Sequence, residues 1–528
     1  MKKTLLIFLS LISANLFAQS GALDSTFGVN GKVVSTINNS GFAAGVAVTS
    51  AGQILVTGGA ALESGYDLVL VRYLSNGDLD NGFGNIGVVA SSFGGPSYGS
   101  CMVIQTDGKI VIAGKVFVAG SYNFLITRYL ATGILDTSFG NHSGFVITDL
   151  GKDDEATSVN LQTDGKIVVA GFSKDSVSYG VGVVRYNSDG SLDNTFGSAG
   201  IAKVALVENP ASPAPKQKPD AKMQADGKIV VVSSTFNTNS NHDFVLIRFN
   251  SDGTPDNTFG SSSIVTTDFN GDDDCGYSLA IQPDGKIIAG GSSFDNMMDA
   301  GYMALSRYNP DGSLDYTFGD SGKVKQVFVY GGIIDASSLI VQSDGWILAG
   351  GTDSTPTFQV FGLARYNTHG TVDSSFGVNG LTTTSFSGVA AFGNAIVQQP
   401  DEKIVFAGGG GYGIVVSRYL DSLQTPDTAQ TTEIYAPSYL TQMNIRVYPI
   451  PFSNSATLEY VLSNDDNVSI YLYDISGSLI TALLDNSPQT AGSQKQNLLI
   501  PAKLNAGNYL LTLTTASGLQ STLKIVKQ

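Results

Sequence analysis

The sequence predicts an all-β protein, a seven-bladed β-propeller followed by a small immunoglobulin-like β-sandwich. Three observations lead there. A Phe-Gly pair recurs at Phe27, Phe83, Phe139, Phe196, Phe259, Phe318 and Phe376, in steps of 56, 56, 57, 63, 59 and 58 residues. An Asp-Gly turn between apolar runs recurs in phase with it, and the strand that leads into each copy's Arg is apolar on both faces. A fixed long period marks a repeat architecture before any local reading does. With 62 Gly, 22 Tyr, 27 Phe and only 14% charged residues, the composition favours short strands and tight turns over amphipathic helices.

Each unit reads as four strands. The first follows the Phe-Gly loop, as in GKVVST from Gly31 or GIAKVAL from Gly200. Strands two and three form a hairpin whose turn is QTDGKI at Gln105 and Gln162, QADGKI at Gln224, QPDGKI at Gln282, QSDGWI at Gln342 and QPDEKI at Gln399. TSAGQI at Thr49 is the divergent first copy. Gly takes φ > 0 in such a turn without steric cost. Strand four runs into Arg-Tyr: in DFVLIRF from Asp243, Phe244 and Leu246 share a face with Arg248, while Val245 and Ile247 take the other. A strand apolar on both faces lies between two layers, and blades around an axis supply those layers. An open solenoid uses shorter repeats and atypical terminal units that are not evident here.

The frame RYNSDGSLDNTFG, Arg185 to Gly197, recurs from Arg72, Arg128, Arg248, Arg307 and Arg365. It sets Asp eight residues after Arg in Arg72 and Asp80, Arg128 and Asp136, Arg185 and Asp193, Arg248 and Asp256, Arg307 and Asp315, Arg365 and Asp373. A guanidinium on an apolar strand needs an acceptor, and a carboxylate on the returning loop supplies one. Equal copies in every unit point to an internal brace rather than a ligand site. The frame fails after Arg418 and Tyr419, and its missing half, LDSTFG, begins at Leu23. The strand Lys32 to Ile37 is therefore expected to pair with the strand ending at Tyr419, and Arg418 with Asp24, closing the ring.

These units resemble the delta-60 repeat family of large bacterial exported proteins, whose signature runs LDxTFG, QxDGKI, RYxxDG. The resemblance spans about residues 21 to 420. It implies a propeller and carries no catalytic or ligand residues to transfer.

The ends of the chain speak of delivery. MKKTLLIFLSLISANLFAQS has two lysines, an apolar run and a small residue, which predicts a signal peptide over 1–18 with cleavage between Ala18 and Gln19. No later stretch is apolar for the length of a transmembrane helix. The propeller is placed at 19–420, a Thr, Gln and Pro-bearing linker at 421–442, and about seven further strands at 443–528. VYPIPFS at Val447, LYDISGSLI at Leu472, AGNYLLTL at Ala506 and KIVK at Lys524 resemble the type A C-terminal sorting domain of the type IX secretion system. One departure is Ile450, where that family usually has Asn. The resemblance implies the type IX machinery as a partner. It also implies a route through the periplasm to the outer-membrane surface of a Gram-negative bacterium, or to the medium.

Other chemistry is sparse. The formal charge of -16 argues against nucleic acid and anionic membranes as partners. Cys101 and Cys275 fall in different units and read as unpaired, mostly buried thiols. His142, His242 and His369 lie in non-equivalent loops and read as surface residues. The acidic runs Asp153, Asp154, Glu155 and Asp272, Asp273, Asp274 occupy nearly equivalent loops and could hold Ca²⁺. Asp268 to Leu279 lacks the central Gly and terminal Glu of an EF-hand, so a solvated acidic loop is the first reading. The Pro-rich insertion from Glu208 to Asp220 is a possible projection for a partner. Trp346 replaces Lys in a hairpin turn and is expected at the surface, where Trp can stack on sugars. No nucleophile elbow, phosphate loop or paired His ligands appear. The leading expectation is a non-enzymatic module that presents propeller loops to an extracellular glycan or protein. The alternative is an extracellular glycan hydrolase or lyase with its site at the axial channel.

Overall fold

Each repeat strand hides two apolar faces, and the structure shows where they go. The computed structural model describes residues 20–421 and 445–527, apart from 39, 63–64, 175–178, 207–217, 238–240, 296–299, 328–332, 355–358, 387–389, 412, 449–454, 463, 475–478, 500–502, 506 and 517–519. The expected signal segment with its Ala18 and Gln19 junction, nearly all of the expected linker, most of the Pro-rich insertion and Ile450 lie outside these residues.

Among the described residues, seven antiparallel sheets form a ring. Blade 4 shows the plan: Asp220–Met223 lies innermost, followed outward by Ile229–Phe236, His242–Phe249 and Ile264–Thr267. Val245 and Ile247 pack against Val181 and Val183 of blade 3, while Phe244 and Leu246 pack against Leu279 and Ile287 of blade 5. Burying each such side chain contributes roughly 1.5–3 kcal/mol. The strand after each Phe-Gly loop turns out to be the outermost strand of the preceding sheet, so the sequence repeat is offset from the blade by one strand. In blade 6 the innermost strand is split into Ile333–Ile334 and Ser338–Val341.

The offset closes the ring. Lys32–Ser35 is the outermost strand of blade 7, antiparallel to Gly413–Tyr419, with Lys32 opposite Ser417 and Ser35 opposite Ile414. The pairing is shorter than the expected Lys32 to Ile37, because Ile37 bridges Ser40 instead. Blades 7 and 1 share one continuous core containing Val416, Ile414, Val56 and Val71.

The tail, a separate compact unit, is built from a three-stranded and a four-stranded antiparallel sheet. Tyr460, Leu458, Ile470, Leu472 and Leu513 fill its core. That arrangement is the expected sandwich.

Candidate functional site

The propeller has two unlike faces. One carries the Asp-Gly hairpins and the Arg frames; the other carries the crossovers from each outermost strand to the next innermost one. On the first face every frame has the same geometry. Arg Nε donates to the Asp carboxylate at 2.7–2.9 Å in all seven pairs, including Arg418 with Asp24 at 2.8 Å. Each guanidinium also lies 4.3–4.9 Å above the ring of its own frame's Phe. A second nitrogen reaches the neighbouring blade: Arg128 Nη1 donates to the Ser188 carbonyl and Arg185 Nη1 to that of Ser251, both at 2.5 Å. The series ends with Arg365 on Asp421 and Arg418 on Ser75, so the ring of staples is closed as the ring of strands is. Gly190 has φ near +90°, and a Cβ there would come within 2.8 Å of the Phe139 ring of the blade before.

Electrostatics on this face favour charge. Burial pushes the carboxyls of Asp193 and Asp256 up, but the Thr195 and Thr258 hydroxyls, Lys166 and Lys228, and the frame arginines hold them well below the usual carboxylate range. Asp24, Asp136, Asp315 and Asp373 are lowered in the same way. Where the hairpin Lys is replaced by Trp346, the Arg365 guanidinium stacks 5.0 Å from the indole. Trp346 is therefore half-buried within the frame and not displayed as expected.

The crossover face is where the repeats diverge. Near the channel mouth Phe42 stacks on Tyr98 at 5.9 Å, Tyr98 meets Tyr66 at 5.5 Å and Tyr122 at 6.3 Å, and Tyr122 meets Phe117 at 5.2 Å. Lys115 Nζ lies 4.9 Å over Tyr122 and pairs with Glu155 at 2.7 Å. Tyr66, Phe117 and Phe392 are 41%, 39% and 43% exposed. The arc thus runs over blades 1 and 2, with Glu155 of blade 3 at its edge. Gly59 admits it, since a Cβ there would lie 2.6 Å from Tyr98. Burial first, then the neighbouring Tyr122, Tyr66 and Glu155, push the Tyr98 hydroxyl up to about 12, so it stays a donor.

Within the channel, Lys218 Nζ reaches from blade 4 to the Asn394 carbonyl of blade 7 at 3.3 Å. Burial lowers its pKa, opposed by Asp220, Asp335 and Glu155. Asp220 is itself tied to Lys222 at 2.9 Å. The other mouth is a depression of about 380 Å³ lined by Asn160, Lys222, Met223, Ile281 and Leu339.

Apart from Asp153, which is exposed, the acidic runs are tied to neighbouring groups and are not freely solvated. Asp154 is buried, accepting from Leu150 N at 2.7 Å and Lys174 N at 3.2 Å, while Asp153 accepts from Tyr122 N at 3.4 Å and Glu155 belongs to the aromatic arc. Asp272 pairs with Lys325 and Ser293, Asp273 with His242 Nδ1 at 2.8 Å, and Asp274 accepts from Phe269 N at 2.7 Å. His242 is consequently buried, contrary to the surface reading, while His142 and His369 are exposed. Loop backbone amides need acceptors once buried, and short acids supply them. Cys101 and Cys275 are unpaired thiols.

Residues 50–83, 105–139, 162–196, 224–259, 282–318 and 342–376 match DUF5122, a β-propeller domain of unknown function. Residues 446–528 match a secretion system C-terminal sorting domain. The chain carries DUF5122 propeller repeats and a type IX sorting tail. Its repeats and tail agree with the two families that their motifs resemble. With those repeats and that tail it is an exported propeller protein, and the tail makes the secretion machinery its partner. Among the described residues no helix is long and apolar enough to cross a membrane. No curated protein matches the chain. Similar solved structures include the polysaccharide lyase Uly1, with 10% identity, TM-score 0.40, and 78% of this chain and 95% of that chain covered. An endo-arabinase from Bacteroides thetaiotaomicron has 12% identity and TM-score 0.31, covering 49% and 91%. A putative exo-beta-1,3-galactanase from Bifidobacterium bifidum has 13% identity and TM-score 0.31, covering 55% and 95%.

The aromatic arc was missed in the sequence, although part of it left a signal. Tyr66, Tyr122 and Tyr179 stand six residues before the frame arginines Arg72, Arg128 and Arg185. The next three units have His242, Gly301 and Gln359 at that position, so the aromatic column is confined to one side of the ring.

Proposed function

We propose that this exported propeller is a binding module that holds a neutral glycan on the aromatic arc of its crossover face. The observation that carries the reading is the run of half-exposed rings Phe42, Tyr66, Tyr98, Tyr122 and Phe117 beside the Lys115 and Glu155 pair. Ring faces pack against the apolar faces of sugars, and the flanking hydroxyl, ammonium and carboxylate supply directional hydrogen bonds. The Lys115 charge is cancelled by Glu155 within a chain of net charge -16, which favours an uncharged ligand over a polyanionic one. The test is an oligosaccharide array probed with the full chain: neutral glycans are expected to bind and to be retained unchanged. Binding that is equal in the wild type and in Tyr98→Ala contradicts the reading.

A second reading, a glycan hydrolase or lyase, is favoured by Lys218 lying among Asp220, Asp335 and Glu155 in the channel. It predicts release of reducing ends or unsaturated products from the bound glycan, abolished by Lys218→Met. Retention without turnover separates the two.

A further inference from the structure

We propose that Asp243, Asp268 and Asp274 form a Ca²⁺ site on the crossover face, between blades 4 and 5. Asp243 is the second residue of the third strand of blade 4, Asp268 follows its outermost strand, and Asp274 lies in the innermost strand of blade 5, Asp273–Ile281. One carboxylate oxygen from each lies within 4.8 Å of the others. That matches the span across a Ca²⁺ shell with oxygens at about 2.3–2.6 Å.

Each acid has one oxygen already held. Asp243 Oδ1 accepts from Asn237 Nδ2, Asp268 Oδ1 from Gly271 N and Asp274 Oδ2 from Phe269 N, all at 2.7 Å. Each carboxylate therefore keeps a second oxygen not used in these bonds. Asp274 is fully buried, and its Oδ1 has no hydrogen-bond partner, which an anionic oxygen at that depth does not tolerate without a counter-charge. The nearby cations are engaged elsewhere: Lys325 holds Asp272, and Lys323 Nζ donates to the Asp268 carbonyl at 3.0 Å. An all-oxygen set without thiol or imidazole selects a hard cation.

The matching place between blades 2 and 3 holds Asn123, Asp149 and Asp154. There the charge is lower, and both Asp154 oxygens accept backbone amides. It serves as an internal control. This proposal is independent of the glycan reading.

The experiment is calorimetric titration and thermal unfolding of the chelator-treated full chain with CaCl₂ or MgCl₂. One Ca²⁺ is expected to bind with a Kd of about 10⁻⁴–10⁻³ M, as in extracellular modules. Saturation is expected to raise the propeller's Tm by about 2–5 °C. Asp268→Asn, an exposed position, is expected to weaken binding at least tenfold, about 1.4 kcal/mol, without changing the Tm in chelator. Asp149→Asn is expected to bind as the wild type does. No response of the wild type, an equal response to Mg²⁺, or undiminished binding by Asp268→Asn overturns the proposal.

Discussion

Replacing Arg185 by Ala removes four contacts at once: the bond to Asp193 at 2.7 Å, the bond to Ser251 O at 2.5 Å, the bond to Thr195 Oγ1 at 3.3 Å, and the stacking on Phe196 at 4.6 Å. The Arg185 and Asp193 side chains are only 8% and 6% exposed, so the variant leaves a buried carboxylate short of a partner. Breaking a buried pair from one side costs about 3–5 kcal/mol. Lys166 remains 3.0 Å from Asp193, which places the expected loss near the lower end, about 3 kcal/mol. Arg185→Lys keeps the charge but cannot span both Asp193 and Ser251 O, so an intermediate loss of about 1–2 kcal/mol is expected. The assay is denaturant unfolding of the full chain followed by the propeller's transition, with glycan binding measured in parallel. A loss below about 0.5 kcal/mol, the scale of a surface substitution, or abolished binding in a variant of unchanged stability, would refute the brace.

The frame carboxyls of Asp24, Asp136, Asp193, Asp256, Asp315 and Asp373 are held below the range of an unfolded Asp, near 3.9. Their contribution is therefore complete above about pH 4 and is lost as pH falls through the folded values. Propeller Tm should drop steeply below about pH 4; a Tm flat from neutrality to about pH 3 would contradict this. Glu402 takes φ near +68° where the other hairpin turns have Gly, so Glu402→Gly should raise stability by about 1 kcal/mol in thermal unfolding, and a loss would show the strain is absent. Deleting residues 20–37 removes the outermost strand of blade 7 and Asp24, leaving Gly413–Tyr419 as an open edge. Concentration-dependent association is expected by light scattering, and a monomer with unaltered Tm would count against closure by the N-terminal strand.

Much of the ring was legible because it is written seven times. The period, the Asp-Gly turns and the two-sided strands each repeat, so local noise in one copy is corrected by the others. Even the closure could be read, since the half-frame at Leu23 complements the half-frame at Arg418. The same offset in the other units was not read, because a strand between two loops pairs equally well in the sequence with either neighbour. The staple from each Arg to the next blade's turn carbonyl was invisible for a related reason: a backbone acceptor has no side-chain signature. The candidate site was least legible. Tyr98, Lys115 and Phe117 lie on the first two strands of blade 2, and Tyr98 meets Phe42 and Tyr66 only when blades 1 and 2 are side by side. Asp272 and Asp273 drew attention as a run, yet they point to Lys325 and His242, while Asp274 joins Asp243 and Asp268 from other strands.

The division of labour between a repeated, braced face and a divergent, binding face is tested most directly by measuring neutral-oligosaccharide affinity in Tyr98→Ala and Tyr122→Ala beside Arg185→Ala. Each lost ring contact should weaken binding about tenfold, equivalent to about 1.4 kcal/mol, with little change in Tm. Arg185→Ala should do the reverse, lowering Tm while the folded protein keeps its affinity. Full affinity in both tyrosine variants, or loss of affinity in folded Arg185→Ala, would contradict the account.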